Sequence, residues 1–395
     1  MKIYHQLGHN HKWALDAHFQ NAIGDGFIFS AYSFDYAKFG GTVSSYKPEE
    51  YLPKSMIDLQ FYGSRDNIGG KLDTYPFNPT NLQDNDSTMV DGTSFIIKGI
   101  KFQIASGLKD IIIPIFYEDS SDLKKLSEYI KSINKKIKKN KEKGKFDDLR
   151  FWMTVPLSNA QILDDNYVEA LLLELTDMAI AYDGYYVVCD AKPEYKKKIS
   201  VDYNYYENLL KIFSVLKSQG FMTCHGYANW DSLVLNALCD IDIVTIGTYE
   251  NLRNFNISRF VENKGGGPSK GWYFSEKLLN FIRAEELVNL RRNGCLDLIA
   301  NDKNVFSDAV LNKAYAWNTH KPDIHKNYLL SISKTLKNLT KKSIPQRIDV
   351  LLELIDNARL LYGKLETLHS VYLYDESGDY HLSTWAAFLR SHLSR

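Results

Sequence analysis

Residues 220–250 read GFMTCHGYANWDSLVLNALCDIDIVTIGTYE. Two apolar-rich runs, Phe221–His225 and Ile241–Thr248, flank an amphipathic stretch, Asp231–Cys239. The second run, with IDIVTI at its start, is almost continuous in apolar residues. A strand with one wet face alternates polar and apolar residues. A strand buried on both faces does not, and parallel strands are buried that way. Strand, helix and strand in this order predict a βαβ unit.

The same unit recurs outward along the chain. Further candidate strands are Lys2–Leu7, Gly26–Ser33, Ile57–Tyr62, Asp110–Tyr117, Leu149–Val155, Gly184–Cys189 and Gly271–Phe274. Amphipathic stretches Ser94–Leu108, Asp122–Lys143, Asn166–Tyr182 and Tyr203–Gln219 lie between them. Gly107, Gly184 and Gly220 fall where helices stop or strands start. Repeats of roughly 30 to 40 residues predict an α/β fold, a (β/α)8 (TIM-type) barrel over residues 1–275. An open doubly wound sheet usually carries a Gly-rich turn after its first strand, and none is present here. Nine candidates exceed eight, so either Lys2–Leu7 or Gly271–Phe274 is expected outside the barrel. A loop-rich insertion at about 38–91, with Pro48, Pro53, Pro76 and Pro79, reads as a lid or a packed insert. From about Glu276 the period turns helical, with helices expected at Glu276–Arg292, Phe306–Trp317, His325–Lys341, Pro345–Thr367 and Leu382–Leu393. Residues 276–395 are therefore read as a C-terminal all-helical region packed on the barrel.

Composition narrows the class. The 395 residues are 44% apolar and 24% charged, which excludes a disordered, collagen-like or coiled-coil chain. Basic and acidic residues balance at 48 each, so no global field favours nucleic acid or acidic lipid. Cys189, Cys224, Cys239 and Cys295 are widely spaced and read as buried thiols in a reducing compartment. The start, MKIYHQLGHNHKW, has no apolar signal core, and no run is long enough to cross a membrane. A cytoplasmic protein is expected.

Barrel chemistry gathers where strands end, so strand ends supply the candidates. Asp190 and Lys192 lie two residues apart, on one side of an extended strand. A carboxylate beside an ammonium can place a proton donor, and a desolvated Lys can act as base or nucleophile. The competing reading is a solvated pair leading into the basic run Lys196–Lys198. His225 ends another strand and titrates near neutrality; a His bonded at the rim is the alternative. Glu250 and Arg253 follow the next strand and could bind substrate or pair together. A glycosidase would need a second carboxylate, from Glu118, Asp119 or Asp190. Asp190, Lys192, His225 and Glu250 form the expected catalytic set. Asp58, Gln60, Tyr62, Arg65, Glu118, Tyr227, Asn229 and Arg253 form the expected substrate-binding set, a polar and aromatic mix suited to a sugar or nucleoside. Ordinary rim polarity is the competing reading.

No metal and no organic cofactor are expected. His9 and His11 are kept as a minor metal candidate, since HxH at a first strand end can seed a metal site, but such a site needs further ligands. Gly265–Lys270 lacks the spacing of a phosphate loop and reads as a loop or lid. The Lys-rich stretch Lys124–Lys145 places apolar residues at helical spacing on one face and lysines on the other. It reads as a solvated outer helix, or as a contact for nucleic acid or a protein partner.

Cys224–Arg253 resembles the tRNA-guanine transglycosylase barrel in its order of strand, Gly turn, helix, Asp-apolar-Asp strand and polar end. The resemblance covers some thirty residues and implies the barrel fold. The family's nucleophilic Asp has no counterpart in Ile243-Val244-Thr245, and its zinc-binding Cys cluster is absent. The expected function is an enzyme acting on a polar sugar- or nucleoside-like ligand by acid–base hydrolysis or glycosyl-bond cleavage. The alternative is a non-catalytic barrel scaffold that binds a protein or nucleic acid through its helical tail and basic helix.

Overall fold

The computed structural model describes residues 1–63, 69–78, 92–117, 123–260, 271–318 and 320–393. Eight parallel strands form a nearly closed barrel: β1 (Lys2–Leu7), β2 (Gly26–Ser30), β3 (Ser55–Asp58), β4 (Asp110–Ile113), β5 (Arg150–Leu157), β6 (Gly184–Cys189), β7 (Met222–His225) and β8 (Ile243–Gly247). Their order around the ring is β3-β2-β1-β8-β7-β6-β5-β4, and β3 and β4 stand side by side across the remaining gap. Lys2–Leu7 is thus a barrel strand, buried from Ile3 to Leu7.

Register decides which side chains face inward. Tyr4 pairs with Gly26 on one side and Thr245 on the other. Ser30 pairs with Asp58, and Tyr186 with Cys224. Register partners share a face, so these residues line the barrel interior. A Cβ on Gly26 would come within 2.7 Å of the Tyr4 ring, so only glycine leaves the tyrosine room. At the opposite end of the strands, Asp110 takes two bonds from Arg150 (2.7 and 2.6 Å) and one from the Trp152 indole (2.9 Å). The floor of the ring is thereby closed by a satisfied ion pair.

Helices α1 (Lys12–Asn21), α2 (Pro48–Tyr51), α3 (Gly92–Ala105), α4 (Lys124–Lys141), α5 (Asn159–Leu163), α6 (Asp165–Leu175), α7 (Tyr203–Ser218) and α8 (Ser232–Leu238) connect the strands. The amphipathic pattern explains α4: Ile130, Ile133 and Ile137 are buried and most of its lysines are exposed. Asp202 caps α7 by accepting the Tyr205 N–H (3.1 Å), and Gly220 ends it at φ +84°. The described part of the 38–91 segment is packed, with Tyr51, Leu72 and Tyr75 buried.

The remainder departs from an all-helical reading. Gly271–Phe274 falls in an antiparallel ribbon outside the barrel, β9 (Trp272–Ser275) with β10 (Asn280–Arg283). Glu276–Arg292 is therefore half ribbon, and helix α9 begins only at Ala284 (Ala284–Arg292). Alternating Tyr273, Ile282 and Leu278, buried in a satellite cluster, explain the ribbon better than a helical period does. Helices α10 (Val305–Leu311), α11 (Pro322–Thr340), α12 (Ile344–His369) and α13 (Leu382–Leu393) follow. Pro322 and Pro345 lie in first turns rather than breaking helices. The short α8 is covered by α11, α12 and α13. α11 also touches α1 and β8, which puts it where an eighth barrel helix would lie.

The main core runs without a break from the strands to Trp385 on α13. Among the described residues, no helix is long and apolar enough to cross a membrane. Trp385 is fully buried and its indole donates to the Tyr206 hydroxyl on α7 (3.1 Å). Trp385→Ala is expected to lower stability by about 3–5 kcal/mol in urea denaturation. A loss under about 1 kcal/mol would mean that α13 merely rests on the barrel.

Candidate functional site

Two connected clusters occupy the C-terminal end of the ring. The first is centred on Asp58, the last residue of β3. Its Oδ2 accepts the hydroxyls of Tyr62, of Tyr186 from β6 (3.1 Å) and of Tyr227 from just beyond β7 (3.3 Å). Its Oδ1 accepts the Gln60 N–H at 3.0 Å. Gln60 in turn donates to the Tyr227 hydroxyl (2.6 Å) and accepts the Tyr32 N–H (2.7 Å). Arg259 lies 5.0 Å from the centre of the Tyr227 ring. Asp58, Gln60, Tyr62 and Tyr227 are thus brought together from positions far apart in the chain.

Local backbone makes this convergence work. The strand expected at Ile57–Tyr62 stops at Asp58, and the chain turns through Gln60 (φ +55°) into a short 3-10 turn, Phe61–Gly63. Tyr62 therefore reaches Asp58 by folding back, not by strand alternation. Tyr227 also sits at positive φ (+53°). Two non-glycine residues in this conformation beside one carboxyl mark a strained rim. A Cβ on Gly226 would strike the Tyr186 ring, so glycine there lets Tyr186 lie against the turn. Burial pushes Asp58 up to about 6, against the opposing pull of its hydrogen bonds.

The second cluster is a small cleft lined by Cys189, Lys198, His225, Tyr227, Asn229, Asp231 and Arg253, partly open to solvent, with a cavity of about 10 Å³ between its walls, room for a single water. Tyr227 belongs to both clusters. Lys198 is nearly buried, bonds Glu250 at 2.7 Å and stacks 3.8 Å from the centre of the Trp272 ring. Burial lowers Lys198 more than Glu250 raises it. Burial alone would raise Glu250, but Lys198 holds it below the ordinary carboxylate range. Asp231 is pushed up to about 7 by burial, opposed by backbone amides and the Tyr206 hydroxyl. Two acids at one rim are thus held in opposite protonation states, the arrangement that acid–base catalysis needs. Asn229 accepts the Trp230 N–H (3.1 Å) and donates to the Lys198 carbonyl (3.4 Å).

His225 faces away from the barrel axis, toward Phe213 on α7, with ring centres 5.3 Å apart. Burial holds it down to about 4, so it is neutral near pH 7. Its Nδ1 has no hydrogen-bond partner among the described residues. Asp190 and Lys192 do not share a strand face. β6 ends at Cys189, and Asp190 accepts the Lys192 N–H (2.9 Å) in a turn that leaves Lys192 exposed at φ +38°. A side chain that bonds the next turn's backbone ends a strand, which the spacing did not reveal. Arg65, Glu118 and the loop Gly265–Lys270 lie outside the described residues.

His9 is exposed, and His11 packs its ring 4.7 Å from that of Phe34. Among the described residues no three His, Cys, Asp or Glu side chains are grouped as a metal site requires. All four cysteines are free and buried. Tyr186, Lys198 and Asp231 escaped the sequence reading. Lys198 sat in an apparently solvated basic run, and Asp231 read only as a helix start. The one available signal was that both stand just past strand ends. No family model and no curated protein matches the chain. The likeness of Cys224–Arg253 to the transglycosylase barrel therefore stands on element order alone.

The raised pKa of Asp58 has a stability consequence. An unfolded Asp titrates near 4, so the folded chain holds this proton more tightly. Stability from this group is full below pH ~4 and is lost as pH rises through about 6. Asp58→Asn is expected to gain stability relative to the parent over that window, with a constant difference above it. Urea midpoints from pH 4 to 8 check this; a pH-independent difference rejects it.

Proposed function

We propose that the chain is an enzyme that cleaves a bond in a polar, sugar- or nucleoside-like ligand bound at the rim of β6, β7 and β8. The observation that carries this reading is the contrast between Asp231, partly protonated at neutrality in the pocket wall, and Glu250, held ionised by the lining residue Lys198. Asp231 is assigned as proton donor to the leaving group. Asp58, mostly ionised at pH 7, takes through the bridging Tyr227 hydroxyl the proton of the water whose oxygen bonds the reacting centre, while the leaving group departs with the Asp231 proton. Asn229 and Tyr227 offer the polar and aromatic contacts of a sugar or base pocket. Lys198 is a positioning residue tied to Glu250. His225 offers a neutral donor or acceptor at the pocket wall. Asp190 and Lys192 flank Ala191, another lining residue.

The test is turnover of a panel of chromogenic glycosides and of nucleosides, followed by chromatography. Asp231→Asn and Tyr227→Phe are each expected to lower kcat by about a hundredfold or more, with the fold intact by circular dichroism. Unchanged turnover in both variants overturns the assignment, and a wild-type chain inert on the whole panel overturns the reading.

One observation favours a second reading, a scaffold that binds nucleic acid. α4 exposes Lys135, Lys136, Lys138 and Lys139, and Lys143 and Lys145 beyond it are exposed too. Binding through such a row should weaken steeply with salt. Short RNA and DNA titrated between low and physiological salt are expected to show that slope, with loss on changing these lysines to Glu. A flat or absent response excludes the scaffold reading.

A further inference from the structure

Arg253 is an unusual cation. It is 8% exposed, and its planar group packs against two neighbouring rings, 4.4 Å from the centre of Phe281 and 4.5 Å from that of Tyr328. Phe281 comes from β10 and Tyr328 from α11, so both rings are supplied by the C-terminal part of the chain. Among the described residues no carboxylate lies within ion-pair distance of the guanidinium. Glu250, the acid that most influences it, is bonded to Lys198 instead. Its Nε is buried with no hydrogen-bond partner of good geometry, and the Tyr328 hydroxyl is its nearest polar neighbour. Yet Arg253 lines the pocket.

A buried, unpaired guanidinium is costly. The rings satisfy none of its N–H groups. The planar fork of N–H donors matches an oxyanion carrying two oxygens on one centre. We propose that Arg253 anchors a phosphate or carboxylate group of the pocket's ligand. This rests on the reading of the pocket as a ligand site and narrows that ligand to an anionic one. The carboxyl of Asp231 also faces the pocket, and burial keeps it partly protonated near neutrality, which removes part of its repulsion toward an anion. Lys198 adds a second buried cation at the wall.

The experiment uses the full chain and four probes: inorganic phosphate, ribose 5-phosphate, glucuronate and ribose. Calorimetry is expected to show binding by the charged probes and none by ribose. The two anion classes are compared directly: tighter ribose 5-phosphate assigns a phosphate, tighter glucuronate a carboxylate. Arg253→Lys, which keeps the charge but loses the fork, and Arg253→Met are expected to weaken the charged probes about tenfold or more. The wild-type comparison of ribose 5-phosphate with ribose does not depend on either variant folding. Equal binding of those two, an unchanged affinity in folded Arg253→Lys, or no binding by any charged probe at millimolar concentration overturns the inference. Charged probes held through Arg253, with no charged sugar ever turned over, would leave the anchor standing and remove the enzymatic reading. Turnover of a neutral nucleoside that is sensitive to Asp231→Asn, without preference for charge, would do the reverse.

Discussion

The Asp58 carboxyl meets three tyrosine hydroxyls and a backbone amide beneath the mouth of the barrel. A carboxyl shut away from water must be neutralised or fully bonded, since a bare buried charge is costly. Here hydrogen bonding and a raised pKa share the task. The bonds come from β3, from β6 on the opposite arc of the ring, and from the turn after β7. They can form only if the strands close on themselves. The same requirement keeps the interior polar near the mouth, while the Asp110–Arg150 pair and Trp152 close the floor. Tyr227 carries the connection outward, with its hydroxyl in the buried cluster and its body against the pocket.

The rim is held from outside by residues that follow the last barrel strand. The Trp272 ring lies against Lys198, and the Tyr380 hydroxyl accepts the Lys198 N–H (3.1 Å). His325 donates to the carbonyl of Thr248 at 2.7 Å. Phe281 and Tyr328 pack against Arg253. Each contact fixes a loop that would otherwise be free to move at a strand end. The C-terminal part thus backs the residues that line the pocket, Lys198 and Arg253, as well as covering the helices.

Periodicity exposed the architecture because strands buried on both faces read as apolar runs, and their spacing with helices leaves few folds. It failed where a local bond overrides alternation. Asp190 turns the chain after Cys189, and Gln60 turns it after Asp58, so residues two apart did not share a face as strand geometry requires. It left a choice open at Gly271–Phe274, one of two runs expected outside the ring, and that apolar run pairs with the next segment. Asp58, Tyr62 and Tyr227 were legible as polar groups at strand ends. Tyr186 was not, because a tyrosine within an apolar strand looks like core until its hydroxyl is seen to meet a carboxylate. Lys198 was hidden for the opposite reason: neighbouring lysines suggest solvent, and only the Trp272 ring and Glu250 explain its burial.

The position of α11 bears on how the chain folds as it leaves the ribosome. By Gly247 every barrel strand has been made, yet the helix that covers β8 and touches α1 begins only at Pro322. Between those points a nascent ring would present an apolar flank to solvent, along with an unclad Arg253. Such half-clothed intermediates are the species that chaperones hold and that aggregate when unattended. This protein completes its first-built element with one of its last.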